Sequence, residues 1–164
     1  MTASVLIALR ITPLVSSTSL RRLVANMYQM HAFHPWLQLI GHDSPSFGDD
    51  LSLWLPEMVK RSLTDLGISF IVGVSSGGLN LYVRTAGQAW GWYAASFAFT
   101  LAHLIFSQEA LRQLEGAGNV EAGKQENAKA LRKWLRMNKV RFFVSELPAF
   151  ITAIMAVLLS LDAV

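Results

Sequence analysis

The sequence predicts an all-α membrane protein: a helical bundle of three to four transmembrane helices with an amphipathic N-terminal region. Apolar residues make up 52% of the chain and charged residues only 15%, whereas a typical soluble domain carries about 25% charged residues. Three apolar runs have near membrane-spanning length, and the basic residues gather beside these runs. Both features are typical of a single integral membrane domain over residues 1–164.

The N-terminal region, residues 1–65, is predicted to be amphipathic or irregular. Residues 1–15 are apolar but contain a charge and a proline, which predicts an interfacial or imperfect first span. Residues 19–36 carry apolar side chains at helical spacing beside basic ones, which predicts an amphipathic helix on the membrane surface or on the bundle. Residues 41–50 are polar and rich in turn formers, so they are predicted to form a loop.

Two apolar runs follow, at residues 66–83 and 89–106, and each is predicted to span the membrane. Residues 89–106 contain no formally charged side chain, and eighteen helical residues extend roughly 27 Å, close to the thickness of the hydrocarbon layer. Gly73 and Gly77 lie four residues apart and therefore on one helix face, which lets another helix approach closely. The short connection between the two runs predicts an antiparallel hairpin.

Residues 107–141 form the polar part, predicted to be a loop and a helix on the cytosolic side, and residues 142–161 the last span. Between positions 112 and 141 there are eight basic and three acidic residues. Positively charged connections remain in the cytosol, so the span at 89–106 is predicted to end there and the last span to begin there.

Several function classes are excluded or disfavoured by composition. The chain has no cysteine, which excludes disulfides and thiolate chemistry. Its basic residues are not interleaved with aromatic ones over a surface, so we expect no nucleic-acid partner. His31, His34, His42 and Asp43 lack the spacing of a known metal motif, and we therefore expect no metal site.

The strongest candidate site pairs His103 with Glu146. His103 lies three residues before the cytosolic end of its span, and Glu146 lies five residues into the last span from the same side. The two are thus predicted to lie at a similar depth. Ionisable groups inside a membrane tend to face the bundle interior and to mark functional sites. A carboxylate facing an imidazole is an acid–base pair, and the alternative is a structural polar contact.

Asn138 and Arg141 lie three residues apart on one helix face, just before the last span. A guanidinium group and an amide in this arrangement can hold an anionic oxygen such as a phenolate. The alternative is that Arg141 anchors the helix to lipid phosphate.

Two stretches joined by the charged connection carry a resemblance: residues 92–106 (WYAASFAFTLAHLIF) and residues 130–141 (ALRKWLRMNKVR), which precede an apolar helix. In this order they resemble the small four-helix fungal membrane proteins of the anthrone oxygenase-like family. The resemblance covers residues 66–161, and Trp134, Asn138 and Arg141 are its most specific part. It implies a four-helix bundle in an internal membrane such as the endoplasmic reticulum. For the oxygenase members it implies oxidation of a polycyclic anthrone without a cofactor, in polyketide biosynthesis.

The resulting hypothesis is a membrane-embedded tailoring enzyme, a cofactor-free oxygenase or cyclase acting on an apolar polycyclic or polyketide-type metabolite. His103 and Glu146 would remove a proton, and Arg141 with Asn138 would hold the oxyanion. The alternative is a non-enzymatic membrane scaffold or small-molecule-binding subunit, with a partner helix at Gly73 and Gly77; a transporter ranks third. The expected partners are the lipid bilayer and an apolar small molecule.

Overall fold

The structure, a computed structural model, describes residues 3–39, 47–83 and 87–161, and the regular elements within these ranges are all helical. This confirms the predicted all-α class. The elements in chain order are α1 (Ala3–Leu39), α2 (Phe47–Val83), α3 (Gln88–Ala102), a 3₁₀ segment (His103–Phe106), α4 (Ser107–Ala117), a short 3₁₀ turn (Val120–Ala122), α5 (Lys124–Arg141), a π segment (Phe142–Glu146) and α6 (Leu147–Leu161).

The N-terminal region is more regular than predicted. Residues 1–15 and 19–36 were expected to be separate pieces, but 3–39 form one helix of 37 residues that continues across Pro13. The predicted loop at 41–50 is also too long, because α2 begins at Phe47; residues 40–46 lie outside the described ranges.

The core has two layers, and α2 contributes to both. In one layer Tyr93 of α3 packs with Ala153 and Ala156 of α6, and Leu81 of α2 lies against them. In the other layer α4 and α5 pack on the remaining halves of α1 and α2, around a buried cluster formed by Phe33, Leu55, Ala110, Ala117, Leu131 and Trp134. Residues 107–141 are thus an integral part of the fold, not merely a connection.

Helices α3 and α6 pack closely because the facing residues are small. Ala149, Ala153 and Ala156 on α6 are at most 1% exposed, and alanines at this spacing let two helix backbones approach. The hydroxyl of Ser96 donates to the carbonyl of Ala149 at 3.1 Å, which adds a polar contact between the two helices.

One continuous helical run, Lys124–Ser160, is long and apolar enough to cross a membrane, and its most apolar window has a mean hydropathy of 2.1. Helix Gly67–Val83 is apolar but shorter. Among the described residues, length and composition thus support one crossing helix. That residues 66–83 and 89–106 also span a membrane stays a prediction.

Candidate active site

His103 and Glu146 are in direct contact where the two core layers meet. The imidazole Nδ1 lies 2.7 Å from the carboxylate Oε1. The side chain of Glu146 is 3% exposed and that of His103 is 18% exposed. The pair therefore has a buried carboxylate and a partly accessible imidazole, as a histidine base with an orienting carboxylate requires.

The backbone around His103 tightens into a 3₁₀ turn, and this leaves one backbone carbonyl free to accept a hydrogen bond from the π segment. The N–H of His103 bonds to the carbonyl of Thr100, three residues back. The carbonyl of Phe99, four residues back, instead accepts the hydroxyl of Ser145 at 2.9 Å. Because Ser145 directly precedes Glu146 in the chain, this bond ties the two sides of the pair together.

Glu146 is the last residue of the π segment, and the wider turn places it beside Arg141. The N–H of Leu147 bonds to the carbonyl of Phe142, five residues back. Residues five apart therefore lie above one another in this turn, unlike in an α-helix. Arg141 and Glu146 are five apart, and Nε of Arg141 lies 3.8 Å from Oε1 of Glu146.

Arg141 is held in place from α1. Asn26 lies 3.2 Å from the amide nitrogen of Asn138. With its amide oxygen facing Arg141, Asn26 accepts from Nη2 at 3.1 Å and from Nε at 3.3 Å. Asn138 is fully buried. Asn138 thus contacts Asn26, which in turn contacts the guanidinium group.

A second arginine, Arg22, belongs to the site and was not identified from the sequence. Its side chain is buried, and Nη2 donates to the hydroxyl of Thr100 at 2.9 Å. Its guanidinium also lies within electrostatic range of Glu146. The available signal was a set of polar residues at helical spacing on α1, since Thr18, Arg22 and Asn26 share one face.

A cavity of about 250 Å³ lies beside these groups. Its polar side chains are Arg22, Gln29, His103, Ser107 and Arg141. The rest of the wall is mainly apolar and includes Met58, Val59, Phe70, Leu104, Leu111 and Trp134. A mostly apolar cleft with a few convergent polar groups is typical of a small-molecule site.

The four predicted site residues divide into two pairs. His103 and Arg141 line the cavity, whereas Glu146 and Asn138 lie behind them, in contact with His103 and with Asn26. The structure therefore brings the predicted residues together, and their catalytic roles stay predictions.

The predicted glycine pair packs inside the chain. A Cβ on Gly73 would lie 3.4 Å from Oγ1 of Thr18 and 4.0 Å from the guanidinium carbon of Arg22, and a Cβ on Gly77 would lie 3.0 Å from Phe97. A second protein at these glycines stays a prediction. Of the four residues weighed as a metal site, His31 and His34 are exposed on α1, and the other two lie outside the described residues.

The chain is similar to fungal proteins that are named as epoxidases. It is 28% identical over 160 residues to the epoxidase pydX of Acremonium sp., covering 93% of this chain and 94% of the relative. It is 29% identical over 154 residues to the epoxidase gkaX of Penicillium citrinum, covering 90% and 91%.

A third relative is the oxaleimides biosynthesis cluster protein N of Penicillium oxalicum, 28% identical over 165 residues, covering 94% of this chain and 90% of the relative. No family model matches the chain, and no solved structure matches it.

Proposed function

We propose that the chain is an oxidative tailoring enzyme of fungal secondary metabolism that oxygenates an apolar small molecule in the cavity beside His103. The observation that carries the proposal is that a histidine backed by a buried carboxylate lies on the wall of an apolar cavity. Full-length relatives named as epoxidases, and one named for a biosynthesis cluster, support the oxidative class.

His103 is the proposed general base. When Nδ1 carries the ring proton, it donates to Glu146 and leaves the lone pair on Nε2 for the substrate. Glu146 then stabilises the imidazolium that forms when Nε2 takes a proton. Because Glu146 does not line the cavity, its proposed role is to position His103 and to stabilise its charge.

The proposed oxidant is dioxygen. His103 removes a proton from an acidic C–H bond of the substrate, and the electron pair stays on the substrate as a delocalised carbanion. Dioxygen adds to that carbon, and the imidazolium returns its proton to the distal oxygen, which gives a hydroperoxide. Transfer of that oxygen to a carbon–carbon double bond of the substrate forms an epoxide and leaves a hydroxyl group.

Embedding in an internal membrane is part of the proposal. The length and composition of the run Lys124–Ser160 support it, and so do large apolar side chains that are more than half exposed on several elements: Ile68, Ile71, Ile105, Phe143 and Val144. The exposed basic residues of α5, among them Arg132, Lys133, Arg136 and Lys139, come just before Phe143 and Val144 in the chain. This order fits a membrane layer next to a cytosolic layer, where an apolar substrate would partition.

The test is replacement of the gene in the fungus that carries it. We expect the deletion strain to accumulate a precursor with fewer oxygen atoms, and the wild-type gene to restore an ¹⁸O-labelled product under ¹⁸O₂. His103→Gln should not restore it, whereas His34→Gln, which changes an exposed histidine on α1, should restore it fully. Full restoration by His103→Gln, with the protein present in membranes at normal levels, would contradict the proposed base.

A further inference from the structure

The polar wall of the cavity carries an excess of positive charge. Among the described residues that line it, the ionisable side chains are Arg22, His103 and Arg141, and none of these is an acid. The nearby carboxylate of Glu146 contacts His103 and interacts with both arginines. Among the side chains that the structure describes at this wall, one carboxylate thus faces two guanidinium groups, which leaves one positive charge in excess when His103 is neutral.

Both arginines are fixed from behind, so their positions are set before a ligand arrives. Arg22 is held by Thr100 at 2.9 Å, and Arg141 is reached by Asn26 and by Glu146. Both side chains are buried. Burial keeps the guanidinium charges away from bulk water, which strengthens their attraction for an anion.

Hydrogen-bond donors are also in surplus at this wall. Within the described part of the chain, Nε of Arg22 and Nε1 of Trp134 are buried and have no hydrogen-bond partner. Both residues line the cavity. A buried donor without an acceptor is unfavourable, and a ligand group that carries only acceptors is its natural complement.

We infer that the substrate is an organic acid with an apolar body, bound as its oxyanion between Arg22 and Arg141. Carboxylates and enolates share this chemistry, because each presents negative charge on oxygen to a planar guanidinium. The apolar walls of Met58, Phe70 and Leu104 would cover the rest of the molecule. That the bound acid is a substrate rests on the proposed function, but the binding of the acid can be measured without turnover.

The test uses the purified full chain in nanodiscs of zwitterionic lipid, with protein-free nanodiscs as the reference. The probes are anthracene-9-carboxylate and its methyl ester, which differ in the anion but share the apolar body. We expect the wild type to bind the carboxylate roughly tenfold more tightly than the ester, because charge-assisted hydrogen bonds to guanidinium are lost in the ester. Equal affinities would overturn the inference, and this comparison needs no variant.

Variants then test which side chains cause the preference for the carboxylate over the ester. Arg22→Gln and Arg141→Gln should each remove most of it, whereas Arg136→Gln, which deletes the same charge from an exposed position of α5, should retain it. Retention of the full preference in both cavity variants would overturn the inference.

Anionic lipid offers the same chemistry from another source, so a second set of nanodiscs contains a minor fraction of phosphatidylglycerol. Persistence of the preference supports a free acid as ligand; its loss would assign the arginines to lipid headgroups and overturn the inference. A carboxylate preference together with full product formation by His103→Gln would defeat the proposed function alone. Loss of product in His103→Gln without a carboxylate preference would defeat this inference alone.

Discussion

His103 Nδ1 and Glu146 Oε1 lie 2.7 Å apart, and each residue stands where its helix departs from α geometry. His103 begins a 3₁₀ segment and Glu146 ends a π segment. Such irregular turns are often found at functional sites. Here both irregularities serve one contact, because the carbonyl of Phe99, which the 3₁₀ turn leaves available, accepts the hydroxyl of Ser145.

The first prediction separates the two members of this pair. Glu146→Gln should lower the rate of product formation, because the imidazolium loses its stabilising carboxylate, but by less than His103→Gln, for which we expect a loss of about 10²–10⁴-fold. Affinity for anthracene-9-carboxylate should not fall in Glu146→Gln, since this change removes a negative charge near the bound anion. The measurements are turnover in isolated membranes and binding in nanodiscs. Weaker anion binding together with an unchanged rate would contradict a positioning role.

The second prediction concerns the contact between Gly77 and Phe97. Alanine at Gly77 would place its Cβ 3.0 Å from the phenyl ring, whereas alanine at Gly78 would lie 3.9 Å from the same ring. Both changes gain helix propensity by about 0.5–1 kcal/mol, so their difference isolates the contact. We expect Gly77→Ala to be less stable than Gly78→Ala by about 1–3 kcal/mol.

Thermal unfolding of the two variants in the same detergent measures this difference. Equal stability would show that α2 and α3 have room for a methyl group at Gly77.

The third prediction tests how Asn138 acts. Its amide contacts Asn26 and not the cavity, so its influence on an anion should pass through Asn26 and Arg141. Asn26→Ala and Asn138→Ala should each weaken carboxylate binding, and the double variant should cost much less than their sum, with a coupling of about 0.5–3 kcal/mol. Additive losses would instead support the direct substrate contact predicted for Asn138 from the sequence.

The fourth prediction concerns topology. The connection between α4 and α5 contains Gly118 and Gly123, and the residues from Asn119 to Gly123 are exposed. If the layer formed by α4 and α5 faces the cytosol, a protease site inserted after Asn119 should be cut in sealed microsomes without detergent. A site that is cut only after the membrane is dissolved would reverse the proposed orientation.

The pairing of His103 with Glu146 followed from a simple depth argument, because both stand near the same end of apolar runs. The helical nature of residues 66–83, 89–106 and 142–161 also followed from their composition. Their lateral arrangement did not, since apolar periodicity does not say which helix faces which.

Arg22 is a site residue that the sequence pattern did not identify. A basic residue on an amphipathic helix normally faces water or lipid phosphate, and residues 19–36, which include Arg22, were predicted to form such a helix on the membrane surface or on the bundle. The structure buries it because Thr100 accepts from its guanidinium and because Gly73 leaves room for that group. Both partners are more than fifty residues away, so no local signal could identify them.

The turn at Phe142–Glu146 holds one residue more than a regular α-helical turn, and this extra residue decides whether Arg141 and Glu146 face each other. If the same residues were wound as a regular α-helix, Arg141 and Glu146, five positions apart, would point about 140° away from each other. Arg141 would then leave Glu146 while the apolar surface of α6 stayed intact. A chain wound in this way would keep its helices, yet its cation and its carboxylate would be out of phase.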